Sequence, residues 1–137
     1  MSPTQRTIRE LRNRGIRCAV VEKWNSFAKR PGDKGPPGIR QDLFGIVDVL
    51  ALDPERGFLG VQCCSGSAAS HRRKMLEDHL QECLDWVSTP GGCLELWCWR
   101  KIKAKRGGKA MVWAPRIELI DPRETYGVGK SADFAHS

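Results

Sequence analysis

Asp48 and Gln62 sit inside two otherwise apolar runs, LFGIVDVLAL (43–52) and FLGVQCC (58–64), separated by the turn sequence DPERG (53–57). Each lies seven positions from Glu55, the centre of that turn. If the two runs pair as a hairpin, this count brings the two side chains next to each other. A carboxylate and an amide oxygen side by side near a sheet end suit a hard cation such as magnesium (or manganese), which takes carboxylate and carbonyl oxygens and keeps waters. The backbone carbonyl of Cys63 offers a further oxygen. The alternative for Asp48 is a buried acid tied to backbone donors. Acids are seldom fully buried without a partner, so the metal reading is the expectation.

A second grouping is RKIKAKRGGK (100–109), which holds Arg100, Lys101, Lys103, Lys105, Arg106 and Lys109 and no acid. A twisted two-stranded ribbon of this composition can track a phosphate backbone, giving salt-dependent affinity without sequence information. The alternative is a solvated hairpin whose charges guard an edge strand. The flanking Trp97, Trp99 and Trp113 are expected in the core rather than as base-stacking platforms. The chain as a whole carries a formal charge of +7 with a pI near 9.3, which points to a polyanionic partner.

These groups need elements to hold them. Ser2, Pro3 and Gln5 spell a capping box with proline at the first helical position, so a short helix is expected to about Arg14, ended by Gly15. IRCAVVEKWN (16–25) reads as a strand and KRPGDKGPPGIR (29–40) as a basic loop rich in proline and glycine. LFGIVDVLAL is apolar enough for a central strand, followed by the turn and FLGVQCC. After SGSAAS (65–70), Leu76, Leu80, Cys83, Leu84 and Val87 form one helical stripe, stopped by STPGG (88–92). CLELWCWRKIK (93–103) and AMVWAPRIELI (110–120) are two further strands about a KRGGK turn. The expectation is an α/β fold of order α-β-β-β-α-β-β, a small mixed central sheet with flanking helices. One domain spans residues 1–120, and a polar, flexible tail spans 121–137.

The six cysteines, Cys18, Cys63, Cys64, Cys83, Cys93 and Cys98, fall in strands or on an apolar helix face and read as reduced, packed thiols. There is no C-x-x-C, and His79-x3-Cys83 lacks a second pair, so no structural zinc is expected. The start, MSPTQRTIRE, shows no apolar core of a secretion signal, and no run reaches the ~20 apolar residues of a membrane helix. A cytoplasmic protein without a membrane partner is expected.

G-x-x-D-x-x-A-L (45–52) followed by V-Q-x-C (61–64) resembles the core of the PD-(D/E)XK nuclease superfamily. The likeness is greatest to small phage-type, Holliday-junction-resolvase-like and VRR-NUC-like members, some of which carry Gln in place of Glu. It covers about Thr4 to Ile120, with its specific part at Phe44–Ser67. The resemblance implies a restriction-endonuclease-like core and metal-dependent hydrolysis of DNA phosphodiesters. It further implies a phage or prophage origin, a bacterial host cytoplasm, branched DNA as a candidate substrate, and homodimers. It makes Asp48 and Gln62 catalytic metal-binding residues, Glu22 the additional acid, and Asp42 a second acid near the site.

The family's lysine falls on Cys64, and a thiol cannot replace its positive charge. Lys74, or Arg72 or Arg73, all in the helix that follows, can supply the charge instead, and Arg72, Arg73 and the 29–40 loop are expected to grip nucleic acid together with the basic ribbon. Otherwise the site is dead and the chain is a catalytically inactive nucleic-acid-binding module. A third reading is an assembly protein whose basic face meets an acidic partner protein.

Overall fold

The structure, a computed structural model, describes residues 1–29, 31–32 and 34–125. It is a mixed α/β fold. Helix α1 (Pro3–Asn13) leads into strands β1 (Arg17–Val20), β2 (Lys23–Asn25), β3 (Ile39–Gln41), β4 (Val49–Asp53) and β5 (Gly57–Ser65). Helix α2 (Ala68–Arg73), a π-helical turn (Lys74–Asp78) and helix α3 (Leu80–Ser88) follow. Strands β6 (Gly92–Lys103) and β7 (Met111–Leu119) and the short helix α4 (Pro122–Thr125) complete the order. The tail expected from residue 121 lies outside the described residues from 126 onward.

Five strands form one sheet in the order β1-β4-β5-β6-β7, antiparallel except for the parallel pair β5–β6. The parallel pair requires a crossover, and α2 through α3 provide it. Alternation along the central strands sends side chains to opposite faces. Val49, Ala51, Leu59, Val61, Cys63, Trp97 and Trp99 pack with Leu11 of α1 on one face. Cys64, Leu94, Leu96 and Cys98 pack with Met75, Leu76, Cys83 and Val87 on the other. The sheet is thus covered on both sides, which accounts for the nearly continuous apolar runs in the sequence.

The capping box forms as read: Gln5 N–H donates to Ser2 Oγ at 3.1 Å, and Ser2 N–H to Gln5 Oε1 at 3.0 Å. One buried side chain then ties α1 to the sheet. Thr7 Oγ1 donates to the Pro3 carbonyl (2.9 Å) and accepts from Trp99 Nε1 (2.9 Å) and Cys63 Sγ (3.2 Å).

Four sequence expectations are corrected. LFGIVDVLAL is not one strand: β4 begins only at Val49, and residues 43–47 make a tight turn closed by a Leu43–Val47 bridge. Phe44 and Gly45 both take positive φ there (55° and 76°), a conformation natural to glycine and costly for phenylalanine. IRCAVVEKWN is split into β1 and β2. The basic loop is shorter than read, because Ile39–Gln41 pair with Lys23–Asn25 as a separate two-stranded sheet. The long helix is broken at the π-helical turn and at His79 (φ −129°, ψ 36°), which buries Met75 alongside the expected stripe and leaves Leu80 and Leu84 half-buried.

Replacing Thr7 by valine keeps its shape but strands the Trp99 N–H in the core. We expect Thr7→Val to cost about 1–3 kcal/mol in urea unfolding and Thr7→Ser to retain most of the stability. Equal stability of valine and serine variants contradicts the anchoring role.

Candidate metal and nucleic-acid site

The ladder follows the count about Glu55 as far as Val49↔Val61 and ends there, so Asp48 stands just before β4 and the regular pairing does not carry it across to Gln62. Asp48 N–H donates to the Val61 carbonyl (2.9 Å), and the Asp48 carbonyl accepts from Val21 N–H (2.8 Å). The second bond extends the β1–β4 ladder by one step and brings the neighbouring Glu22 to the same end of the sheet. The Leu43–Val47 bridge reverses the chain and returns Asp42 to Asp48. Glu22, Asp42 and Asp48 thereby present carboxylate oxygens that all lie within 4.8 Å of one another.

Each acid is held by identifiable groups. Asp48 is 5% exposed, and its Oδ2 accepts from Cys63 N–H at 2.9 Å. Glu22 faces Arg40 at 3.6 Å. Asp42 Oδ2 accepts from Gln62 Nε2 at 3.0 Å, and the same nitrogen donates to the Ile46 carbonyl at 2.8 Å. Both of these partners can only accept, so the orientation of the Gln62 amide is settled by chemistry. Gln62 therefore positions Asp42 through its nitrogen, while its oxygen remains the atom suited to a cation. A glutamate here would set a carboxylate against two acceptors.

The crowding shows in Asp48, whose pKa is pushed up to about 8. Burial is the main cause, with the hydrogen bond and charge of Asp42 and the charge of Glu22 adding to it, against the opposing Cys63 N–H. A divalent cation placed among the three acids would relieve this repulsion, and the donor set is the hard oxygen chemistry that magnesium or manganese prefers.

The acids open into a cavity of about 620 Å³ lined also by Thr4, Arg40, Gln62, Cys63, His71, Lys74 and His79. Lys74 thus stands at the same cavity as the acids. Cys64 does not supply a replacement for the expected lysine. It is buried beside Cys98, its strand partner, and burial together with that neighbour pushes its thiol up to about 12. Arg72 is engaged in a bidentate pair with Glu118 of β7, so its charge is spent on docking α2 to the sheet. Arg73 is exposed and reaches Glu77 at 4.0 Å.

His79 was missed as a site residue. Its ring fills the space that a side chain on residue 45 would take (a Cβ there would lie 2.6 Å from it), so Gly45 is the sequence signal for it. Cys83 does not join His79. It is buried in the core with Sγ directed at the Met75 carbonyl.

The basic ribbon forms from the ends of β6 and β7. Arg100, Lys101, Lys103, Lys105, Arg106 and Lys109 are all exposed. Because β5 and β6 are parallel, with Cys63 opposite Trp97, the ribbon leaves the sheet at the end that carries the acids. From Trp97 to Lys103 it runs about 20 Å at the usual strand rise. Trp97 and Trp99 are buried as expected, whereas Trp113 is exposed and stacked under Arg6 (4.0 Å) and near Lys101 (5.5 Å). Arg6 of α1 thereby joins the ribbon's charge.

Comparison with known proteins finds no matching family model, no matching curated protein and no matching solved structure. Among the described residues no helix is long and apolar enough to cross a membrane.

The acid cluster has a consequence for stability. Folded Asp48 keeps its proton up to about pH 8, whereas in the unfolded chain it loses it near the ordinary 3.8. Its contribution is therefore fully present below the unfolded value and is lost as pH rises through the folded one. With chelator present, Asp48→Asn is expected to melt above the wild type at pH 8, with the gap narrowing toward the ordinary carboxylate range. A variant that melts lower at every pH contradicts the crowding.

Proposed function

We propose that this chain is a metal-dependent endodeoxyribonuclease of the PD-(D/E)XK type. The observation that carries the reading is the convergence of Glu22, Asp42 and Asp48 within 4.8 Å on a cavity that Lys74 also lines. The sheet order β1-β4-β5-β6, with α1 before it and α2–α3 crossing between its last two strands, supports a restriction-endonuclease-like core. The sequence resemblance adds a phage or prophage origin and a bacterial host cytoplasm to the proposal.

Glu22, Asp42 and Asp48 would hold the magnesium or manganese ion, with the Gln62 oxygen beside them. When bound, the ion supplies an activated water and neutralises charge developing on the phosphate. The chain's own residues do the rest. Cys63 N–H fixes one oxygen of Asp48, and the Gln62 amide fixes Asp42, so both carboxylates are preorganised. Lys74 supplies the cation that the PD-(D/E)XK superfamily carries at the position of Cys64, stabilising the phosphate and orienting the nucleophile. The ribbon from Arg100 to Lys109 grips the backbone on the same side.

A second reading rests on the neutral, buried Cys64: a binding module that kept the fold and lost the chemistry.

The two readings separate on incubation with branched, linear and single-stranded DNA in magnesium or manganese. The nuclease reading expects cutting that falls to background in Asp48→Ala and by about 10²-fold or more in Lys74→Ala. Binding without cutting, unchanged in Asp48→Ala, supports the module. Cutting that survives Lys74→Ala removes Lys74 from the mechanism.

A further inference from the structure

The β2–β3 hairpin grows out between two of the three acids: Glu22 immediately precedes β2, and Asp42 immediately follows β3. Whatever lies on this hairpin is therefore delivered to the mouth of the acid cavity. Asn25, at the end of β2, is about 10 Å from Glu22 at the usual strand rise.

Two large aromatic side chains are exposed on it. Trp24 is 59% exposed and Phe27 is 93% exposed. The ring of Trp24 and the backbone of Phe27 are each held. The Trp24 ring is seated on Gly38, where a Cβ would come within 2.1 Å of it. The backbone at Phe27 is fixed by Asn25, whose Oδ1 accepts from the N–H groups of both Phe27 (3.0 Å) and Ala28 (3.2 Å). Gly38 N–H then donates to the Ala28 carbonyl (2.8 Å) and closes the hairpin. A fixed turn that displays an aromatic ring almost wholly to water has no packing explanation within the described residues.

The charges around these rings indicate what covers them. Lys23, Lys29 and Lys34 are exposed on the same segment. Arg40 is the cross-strand partner of Trp24, so the two share a face of the hairpin, and Arg40 also lines the acid cavity. Cations interleaved with π faces are the composition that holds unpaired nucleotides, the cations meeting phosphates and the rings meeting bases. Paired bases offer no free face to such rings unless the duplex is opened, for which an apolar wedge is the usual device.

We infer that the β2–β3 hairpin is a stacking finger that holds unpaired bases of a DNA strand beside the acid cavity. The substrate class is thereby DNA that offers unpaired nucleotides, either as a single strand or at a branch point. This inference rests on the nuclease reading for its substrate but not for its test, which is read without cleavage. Trp24 and Phe27 are the stacking residues, and the ribbon beyond Arg100 supplies phosphate grip that does not distinguish strand state.

The test is fluorescence anisotropy in chelator with three DNA probes: a single strand, its duplex and a four-way junction with 2-aminopurine at the branch. The Trp24→Ala, Phe27→Ala double variant is expected to lose about tenfold or more in affinity for the single strand. It is expected to stay within about twofold of the wild type on duplex, since phosphate contacts are untouched. Trp24→Phe keeps a π face and should restore most of that component. Quenching of 2-aminopurine by the wild type but not by the double variant extends the finger to branch points. Quenching by neither confines it to single strands.

Unchanged affinity for the single strand, or an equal loss on single strand and duplex, overturns the inference. So does binding of phosphatidylglycerol vesicles through the same two residues with no DNA discrimination. Cleavage that persists in a double variant with unchanged binding leaves the nuclease standing and removes the finger. Strand-selective binding lost in the double variant, with no cutting in any metal, does the reverse.

Discussion

Three carboxylates that repel one another are held together at one end of a sheet, and much of the local architecture serves that constraint. Glu22 is brought in by the one-residue extension of the β1–β4 ladder, Asp42 by the closed turn at Leu43–Val47, and Asp48 by the start of β4. Each is met by a donor or a cation: Arg40, the Gln62 amide and the Cys63 N–H. These contacts reduce the repulsion without cancelling it, as the raised pKa of Asp48 shows. The positive φ of Phe44, in the turn that makes the arrangement possible, is a second local cost. Two unfavourable features at one place in an otherwise well-satisfied fold are the pattern expected where a site was kept for what it binds.

Strand β5 links this constraint to the rest of the molecule. Its alternation sends Cys63 toward α1, where its Sγ donates to Thr7 Oγ1, and Cys64 into the opposite core beside Cys98. Both thiols are neutral, pushed up to about 12 chiefly by burial. The cysteines that follow Gln62 thus serve packing on the two faces of the sheet. A lysine at residue 64 would have to fit among Ile46, Val47, Met75 and Leu96 beside Cys98. Among the described residues, Lys74 on the π-helical turn is a cation that lines the acid cavity. Such turns interrupt regular helices, frequently at functional sites.

Local chemistry in the sequence was legible where neighbours decide the outcome. The capping box, the Gly15 stop, the register about Glu55 and the basic ribbon follow from short-range rules, and the strands of the double-sided core follow from their apolar runs. Tertiary contacts decided what was misread. LFGIVDVLAL has the composition of a strand, yet a glycine at 45 lets the chain reverse and gives room to His79 from the distant break before α3. The prolines and glycines of 29–40 hid a short pairing with Lys23–Asn25 that only a partner strand reveals. The Arg72–Glu118 pair joins residues 46 apart and left no local trace. For the site, Asp48, Gln62, Glu22, Asp42 and Lys74 were all named from the sequence and line one cavity, while the role of Gln62 as a holder of Asp42 required its two acceptors to be seen.

Whether the three acids form a divalent-cation site is tested, without reference to any substrate, by manganese binding followed through the electron paramagnetic resonance signal of the free ion. The account predicts saturable loss of the free-ion signal with the wild-type chain and its disappearance in Asp48→Ala and Asp42→Ala variants that remain folded. Binding of equal strength in the wild type and both variants, or no saturable binding at all, would contradict it.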